Sequence, residues 1–148
     1  MAAETDLVKL YSGRLLALAA DMPHVGRLSA PMATARRRAP QCGSTVTVDL
    51  SVADGRIVEF AQDVRACALG QASASVLGHA VIGRTRDEVE AARTALVAML
   101  TEGGPPPGAP FEDLAALTAA REFSNRHPSI LLAFDATCDA LATLEKAA

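Results

Sequence analysis

Two of the three cysteines stand where backbone geometry makes a thiol useful. Cys42 lies in Pro40-Gln41-Cys42-Gly43, a tight turn feeding the most regular strand pattern in the chain. Cys67 falls between a second strand pattern and the start of a helical one. A thiol at a helix N-terminus meets free N–H groups and the positive end of the helix dipole, which favours the thiolate for metal binding or nucleophilic attack. The two are 25 residues apart (42 to 67) and bracket a hairpin, so both thiols are expected at one end of the sheet. On that spacing alone two readings stand: a shared metal or sulfur site, and two small buried residues. No C-x₂-C pair is present, so no zinc-finger framework is at hand.

The elements that must hold these thiols follow from periodicity. Thr45 to Val52 alternates polar and apolar residues, with Val46, Val48, Leu50 and Val52 on one face, as a half-buried strand requires. Ala53-Asp54-Gly55 supplies a turn, and a second strand runs through Arg56 to about Gln62. A preceding strand is expected around Ala33 to Arg38, completing a small antiparallel meander. After Cys67, residues Ala68, Leu69, Ala72, Val76 and Ala80 repeat with helical spacing up to Gly83. Thr85 and Glu88 form a capping-box pattern opening a helix to about Leu100. Further helices are expected from Asp6 to Ala20, around Asp113 to Ala120, and from about Pro128 to Lys146, with Gly103 to Gly108 as a surface loop. The order predicts an α+β fold: a small antiparallel three-stranded sheet with helices on one face, in a single domain over 1–148.

Composition narrows the function. Half of the residues are hydrophobic but only 3% are aromatic, so the core must be built from Ala, Leu, Val and Ile in close-packed helices. A formal net charge of −3 gives no electrostatic footprint for nucleic acid or an anionic membrane. Arg36-Arg37-Arg38 reads as a solvated strand edge. The N-terminus is acidic and polar, unlike a signal peptide, and no apolar run approaches the ~18 residues of a membrane span. A cytoplasmic protein with reduced thiols is expected, and there cysteines more often bind metal or do redox chemistry than form disulfides. Nothing marks a stand-alone enzyme: the chain shows no Ser/His/Asp arrangement and no phosphate-cradling loop.

The stretch Cys42-Gly43-Ser44 before the alternating strand, followed by Val64-Arg65-Ala66-Cys67-Ala68-Leu69-Gly70-Gln71-Ala72-Ser73-Ala74-Ser75, resembles the NifU-like (IscU/SufU-type) iron–sulfur cluster assembly scaffolds. The resemblance runs from Gln41 to Arg84, with weaker echoes at Pro23-x-x-Gly26 and Arg126-x-x-Ser129, and the long connection before the last helix is more like the SufU branch. It implies a SufE/NifU (IscU-like) fold, and a nascent cluster or zinc ion held by three cysteines and an aspartate. Cys42 and Cys67 match the first two cysteines, while the aspartate position is Ser44 and the third cysteine position is Ser129. It further implies a cysteine desulfurase and cluster-acceptor proteins as partners.

Other residues are weaker candidates than that set. Cys138 lies nine positions past Ser129, about half a turn away and ~13.5 Å along a helix, so it is read as a packing residue. His127 is close enough to Ser129 to be weighed as a ligand or a capping residue, whereas His79 is some three turns beyond Cys67. Asp63 reads as a solvated strand-end charge, and Ser73 and Ser75 as small residues permitting close helix contact. Three functions follow: a scaffold or carrier binding iron, cluster or zinc through Cys42 and Cys67, its site completed by His127, a partner or a homodimer; a sulfur acceptor that needs one reactive thiolate; or an interaction module that kept only the fold.

Overall fold

The computed structural model describes residues 11–147. It contains helix α1 (Gly13–Ala20), strands β1 (Ala33–Ala39), β2 (Ser44–Ala53) and β3 (Arg56–Arg65), and helices α2 (Ala68–Ala80), α3 (Arg86–Thr101) and α4 (His127–Ala147). Between α3 and α4 the chain forms 3₁₀ turns over Glu112–Glu122 and Ser124–Arg126, where sequence periodicity had pointed to a short α-helix. The part of the expected first helix before Tyr11 lies outside the described residues. Its described part begins later than the apolar spacing implies, because the Ser12 hydroxyl accepts the Leu15 N–H at 3.2 Å and fixes Ser12 as the N-cap.

The strands pair in the order β1-β2-β3, antiparallel throughout. At the hairpin tip Asp54 and Gly55 both take positive φ, 54° and 76°, as a tight two-residue turn matched to strand twist requires. Val46, Val48 and Leu50 are buried on the helix-covered face, but a bulge at Ser51/Val52 ends the clean alternation and leaves Val52 only half-buried. Helix α4 crosses this face over β1 and β2, with α2 and α3 beside it and α1 against α2. The expected capping box opens α3: Glu88 N–H donates to Thr85 Oγ1 at 3.2 Å and Thr85 N–H to Glu88 Oε1 at 3.0 Å.

Helix α2 owes its position to small residues. Ala72, Ser73, Ala74, Ser75 and Gly78 are all buried, which lets its neighbours approach closely. A Cβ on Gly78 would lie 2.6 Å from Pro23 Cγ. Ser73 and Ser75 therefore serve contact rather than ligation, and the Ser75 hydroxyl donates to the Asp21 carbonyl at 3.0 Å.

The far face of the sheet is not left to water as the alternating pattern implies. The connector after α1 folds back along β3, with Gly26 N–H donating to the Gln62 carbonyl and Gln62 N–H to the His24 carbonyl, each at 2.9 Å. It carries Arg27 and Leu28 onto Asp49, which is fully buried in the middle of β2. Asp49 accepts from Arg27 Nε at 2.6 Å, Thr34 Oγ1 at 2.6 Å and Leu28 N–H at 3.0 Å. Burial pushes this carboxyl up, but the hydrogen bonds from Arg27, Thr34 and Leu28 outweigh it and hold Asp49 below the usual carboxylate range.

Candidate functional site

The hairpin delivers both thiols to one end of the sheet. Strand pairing sets Ser44 against Ala39 and Thr45 against Arg65, so the turn before β2 and the exit of β3 lie side by side. Cys42 sits in the turn between β1 and β2, closed by Gly43 N–H donating to the Ala39 carbonyl at 2.9 Å with Gly43 at φ 72°. Cys67 is the N-cap of α2, in extended backbone geometry, and its side chain makes no cap hydrogen bond. That leaves the thiol turned to a third element.

The third element is the first turn of α4, which brings Ser129 between the two cysteines. Ser44 Oγ lies 3.1 Å from Cys42 Sγ and 3.2 Å from Ser129 Oγ, and Ser129 Oγ lies 3.5 Å from Cys67 Sγ. The two thiols are thus joined through two buried hydroxyls. Gly70 makes this approach possible: a Cβ there would meet Ser129 Oγ at 2.7 Å and the Ser129 carbonyl at 3.0 Å. Cys42 is exposed and Cys67 half-buried. Both open onto a pocket of about 180 Å³ lined also by Gln41, Asn125, Arg126 and Ser129.

The surroundings of Cys42 favour its thiolate. The Ser44 hydroxyl, then the Ser44 backbone N–H, hold the Cys42 thiol below its ordinary range against an opposing push from burial, and Ser129 adds a lesser effect in the same direction as Ser44. Among the described residues no carboxylate lines the pocket. Arg126 lines it and has no ion-pair partner among the described residues.

The remaining candidates lie elsewhere. His127 is buried with Nε2 2.9 Å from the Ala120 carbonyl, so it anchors the preceding 3₁₀ turn and does not line the pocket. Asp63 is partly exposed, 3.7 Å from Arg65. His79 sits against Asp21 at the far end of α2. Cys138 lies on another flank of α4, in a hollow with Arg37, Arg93 and Asp139, where burial pushes its thiol up to about 11. Arg37 pairs with Asp139 at 2.5 Å, so one of the three consecutive arginines is tied to α4 while Arg36 and Arg38 stay exposed. Asn125 and Arg126 line the pocket although the sequence gives little sign of it. They stand in a 3₁₀ turn with no periodic signal, and only the Arg126-x-x-Ser129 echo pointed there.

This arrangement has relatives. The profile of the NifU-like N terminal domain matches residues 10–126. The chain belongs to this family. A crystal structure of a nitrogen-fixing NifU-like protein (N-terminal) from Brucella abortus is 44% identical, with a TM-score of 0.94 over 97% of this chain and 99% of that one. A putative iron–sulfur cluster assembly scaffold protein for the SUF system from Fervidobacterium islandicum shares the fold, at 20% identity and a TM-score of 0.79 over 90% and 98% of the two chains. A search among curated proteins returned no match. The NifU-like fold accounts for the α+β layout and three-stranded antiparallel sheet read from the sequence.

Proposed function

We propose that the chain serves iron–sulfur cluster assembly as a scaffold or carrier, with Cys42 and Cys67 as the donors that meet its cargo. The observation that carries this reading is the convergence of both thiols on one open pocket, in a NifU-like fold. Soft thiolates suit iron–sulfur clusters and zinc, and a cysteine desulfurase is the partner that supplies sulfur to such a site.

The donor set is nevertheless short. A tetrahedral zinc or iron site takes four donors from thiolate, imidazole or carboxylate. Among the described residues no three His, Cys, Asp or Glu side chains come together, and Ser44 and Ser129 offer neutral hydroxyls. A resident zinc ion does not fit this chain alone. A cluster passing through as cargo would take its remaining ligands from a donor protein or from a second copy.

A second reading, a sulfur acceptor without a stable cluster, is favoured by Cys42 itself. It is exposed, and its thiolate is stabilised by Ser44. Such a thiol meets the needs of attack on a protein persulfide.

Anaerobic reconstitution with iron and sulfide, beside a Cys42→Ser/Cys67→Ser double variant, tests the first reading. Iron and sulfide bound by the chain and absent from the double variant support the scaffold. Protein-bound zinc alone moves the assignment to the sulfur acceptor, and no metal at all overturns the scaffold.

A further inference from the structure

The asymmetry of the two thiols calls for separate roles. Cys42 is exposed on a turn, and Cys67, half-buried at the start of α2, lines the same pocket. Ser129 Oγ stands 3.5 Å from Cys67 Sγ and one hydroxyl removed from Cys42 Sγ. Besides the thiols, the lining is the Ser129 hydroxyl, the amides of Gln41 and Asn125 and the Arg126 guanidinium, all able to donate hydrogen bonds, with no carboxylate among the described residues to repel an anion.

We propose that Cys67 is the resolving thiol for Cys42: after Cys42 has taken a sulfane sulfur from a persulfide donor, Cys67 attacks the inner sulfur, forming a Cys42–Cys67 disulfide and releasing hydrosulfide. This rests on the reading that Cys42 receives sulfur. In the step, the Cys42 persulfide anion and the Cys67 thiol become the disulfide and HS⁻. The bond between Cys42 Sγ and the sulfane sulfur breaks, and the bond between the two Sγ atoms forms. The Cys67 proton leaves with the hydrosulfide, and the two electrons that reduce the sulfane sulfur come from the pair of cysteine thiols. A dithiol reductant then reopens the disulfide for the next round.

The geometry assigns a use to each neighbour. Ser44 and Ser129 donate to whichever sulfur bears the charge, and Arg126, with no competing ion pair among the described residues, gives a positive charge to the lining of the pocket that the hydrosulfide leaves. The pair would deliver sulfur in the oxidation state that a cluster contains, at a site with too few ligands to hold the metal itself.

The test treats the reduced chain, carrying Cys138→Ser, anaerobically with a small-molecule persulfide. Released sulfide is counted, remaining thiols are alkylated, and the peptides are mapped by mass spectrometry. The expected result is one sulfide per chain, loss of both thiols and a Cys42–Cys67 linked peptide pair. The Cys67→Ser variant should keep the sulfane sulfur on Cys42 and release sulfide only at the background rate. Retention of the persulfide with Cys67 still alkylatable, in the chain that has both cysteines, overturns the proposal and leaves Cys42 as an acceptor. Failure of the chain with both cysteines to take up any sulfane sulfur or to release sulfide removes the acceptor reading and this proposal with it. The linked-peptide measurement needs no variant at either thiol, so a folding defect in Cys67→Ser does not rescue the idea.

Discussion

The hydroxyls of Ser44 and Ser129 lie 3.2 Å apart although 85 residues separate them in the chain, and each also touches a different cysteine. The contact ties the turn before β2 to the first turn of α4, and through Cys67 to the start of α2. Three elements therefore meet at one polar point, buried under the open pocket.

The first consequence is chemical. The Ser44 hydroxyl is the largest contributor to the lowered titration of Cys42. Ser44→Ala should move that titration back toward the ordinary thiol value near 8.5. Alkylation of Cys42 by iodoacetamide, followed from pH 6 to 10, should show a later rise and a several-fold slower rate at neutral pH. Ser129→Ala should give a smaller displacement in the same direction. An unchanged Ser44→Ala profile would remove the hydroxyl from any role in activating the thiol.

A steric prediction concerns Gly70. Replacing a helix-interior glycine by alanine usually stabilises by up to ~1 kcal/mol through backbone entropy. Here the new Cβ would stand 2.7 Å from Ser129 Oγ, 2.8 Å from Ala66 Cβ and 3.0 Å from the Ser129 carbonyl. A backbone carbonyl cannot swing away, so overpacking wins, at about 1–3 kcal/mol net destabilisation. Urea unfolding of Gly70→Ala should show a lower midpoint at unchanged slope. A midpoint equal to or above that of the parent would mean that α4 shifts freely on α2.

Much of this was legible in the sequence, for physical reasons. The alternation from Thr45 to Leu50 and the Asp54-Gly55 turn fix a hairpin, and a hairpin must return its ends together, which is why Cys42 and Cys67 could be placed at one edge. The capping box at Thr85 needed only local spacing. What escaped was long-range. Asp49 reads as an exposed residue of an alternating strand, and only the fold-back of an irregular connector buries it. Asn125 and Arg126 reach the pocket through a 3₁₀ turn whose position depends on His127 bonding to Ala120, which no periodicity announces.

Asp49 supports a pH prediction. Its folded titration lies below the unfolded one, so its stabilising contribution is fully present above the unfolded value near 3.9 and is lost as pH falls through the folded one. Asp49→Asn weakens the charge-assisted bonds to Arg27, Thr34 and Leu28 and should cost about 1–3 kcal/mol at neutral pH. Chemical denaturation across pH should show the gap between the two proteins narrowing only below about pH 4. A gap that stays constant into acid would mean that the aspartate's charge contributes nothing.

The last prediction restores a thiol. Ser129 occupies the position at which the family resemblance places a third cysteine, and it already lies within 3.5 Å of Cys67 Sγ. Gly70 leaves the space above Ser129 Oγ free of a side chain, so the larger sulfur of Ser129→Cys meets no Cβ there. Two thiolates and two hydroxyls make a poor zinc site, whereas three thiolates leave only one position to be filled by water or a partner. Zinc affinity, measured by competition with a chromogenic chelator, should rise by roughly tenfold or more, about 1.4 kcal/mol. The gain should vanish when Cys67→Ser is added, because the new thiol works only in company with the old ones. No gain in Ser129→Cys would mean that α4 does not present residue 129 to a metal held by Cys42 and Cys67, and the match of that helix to the family pattern would fall.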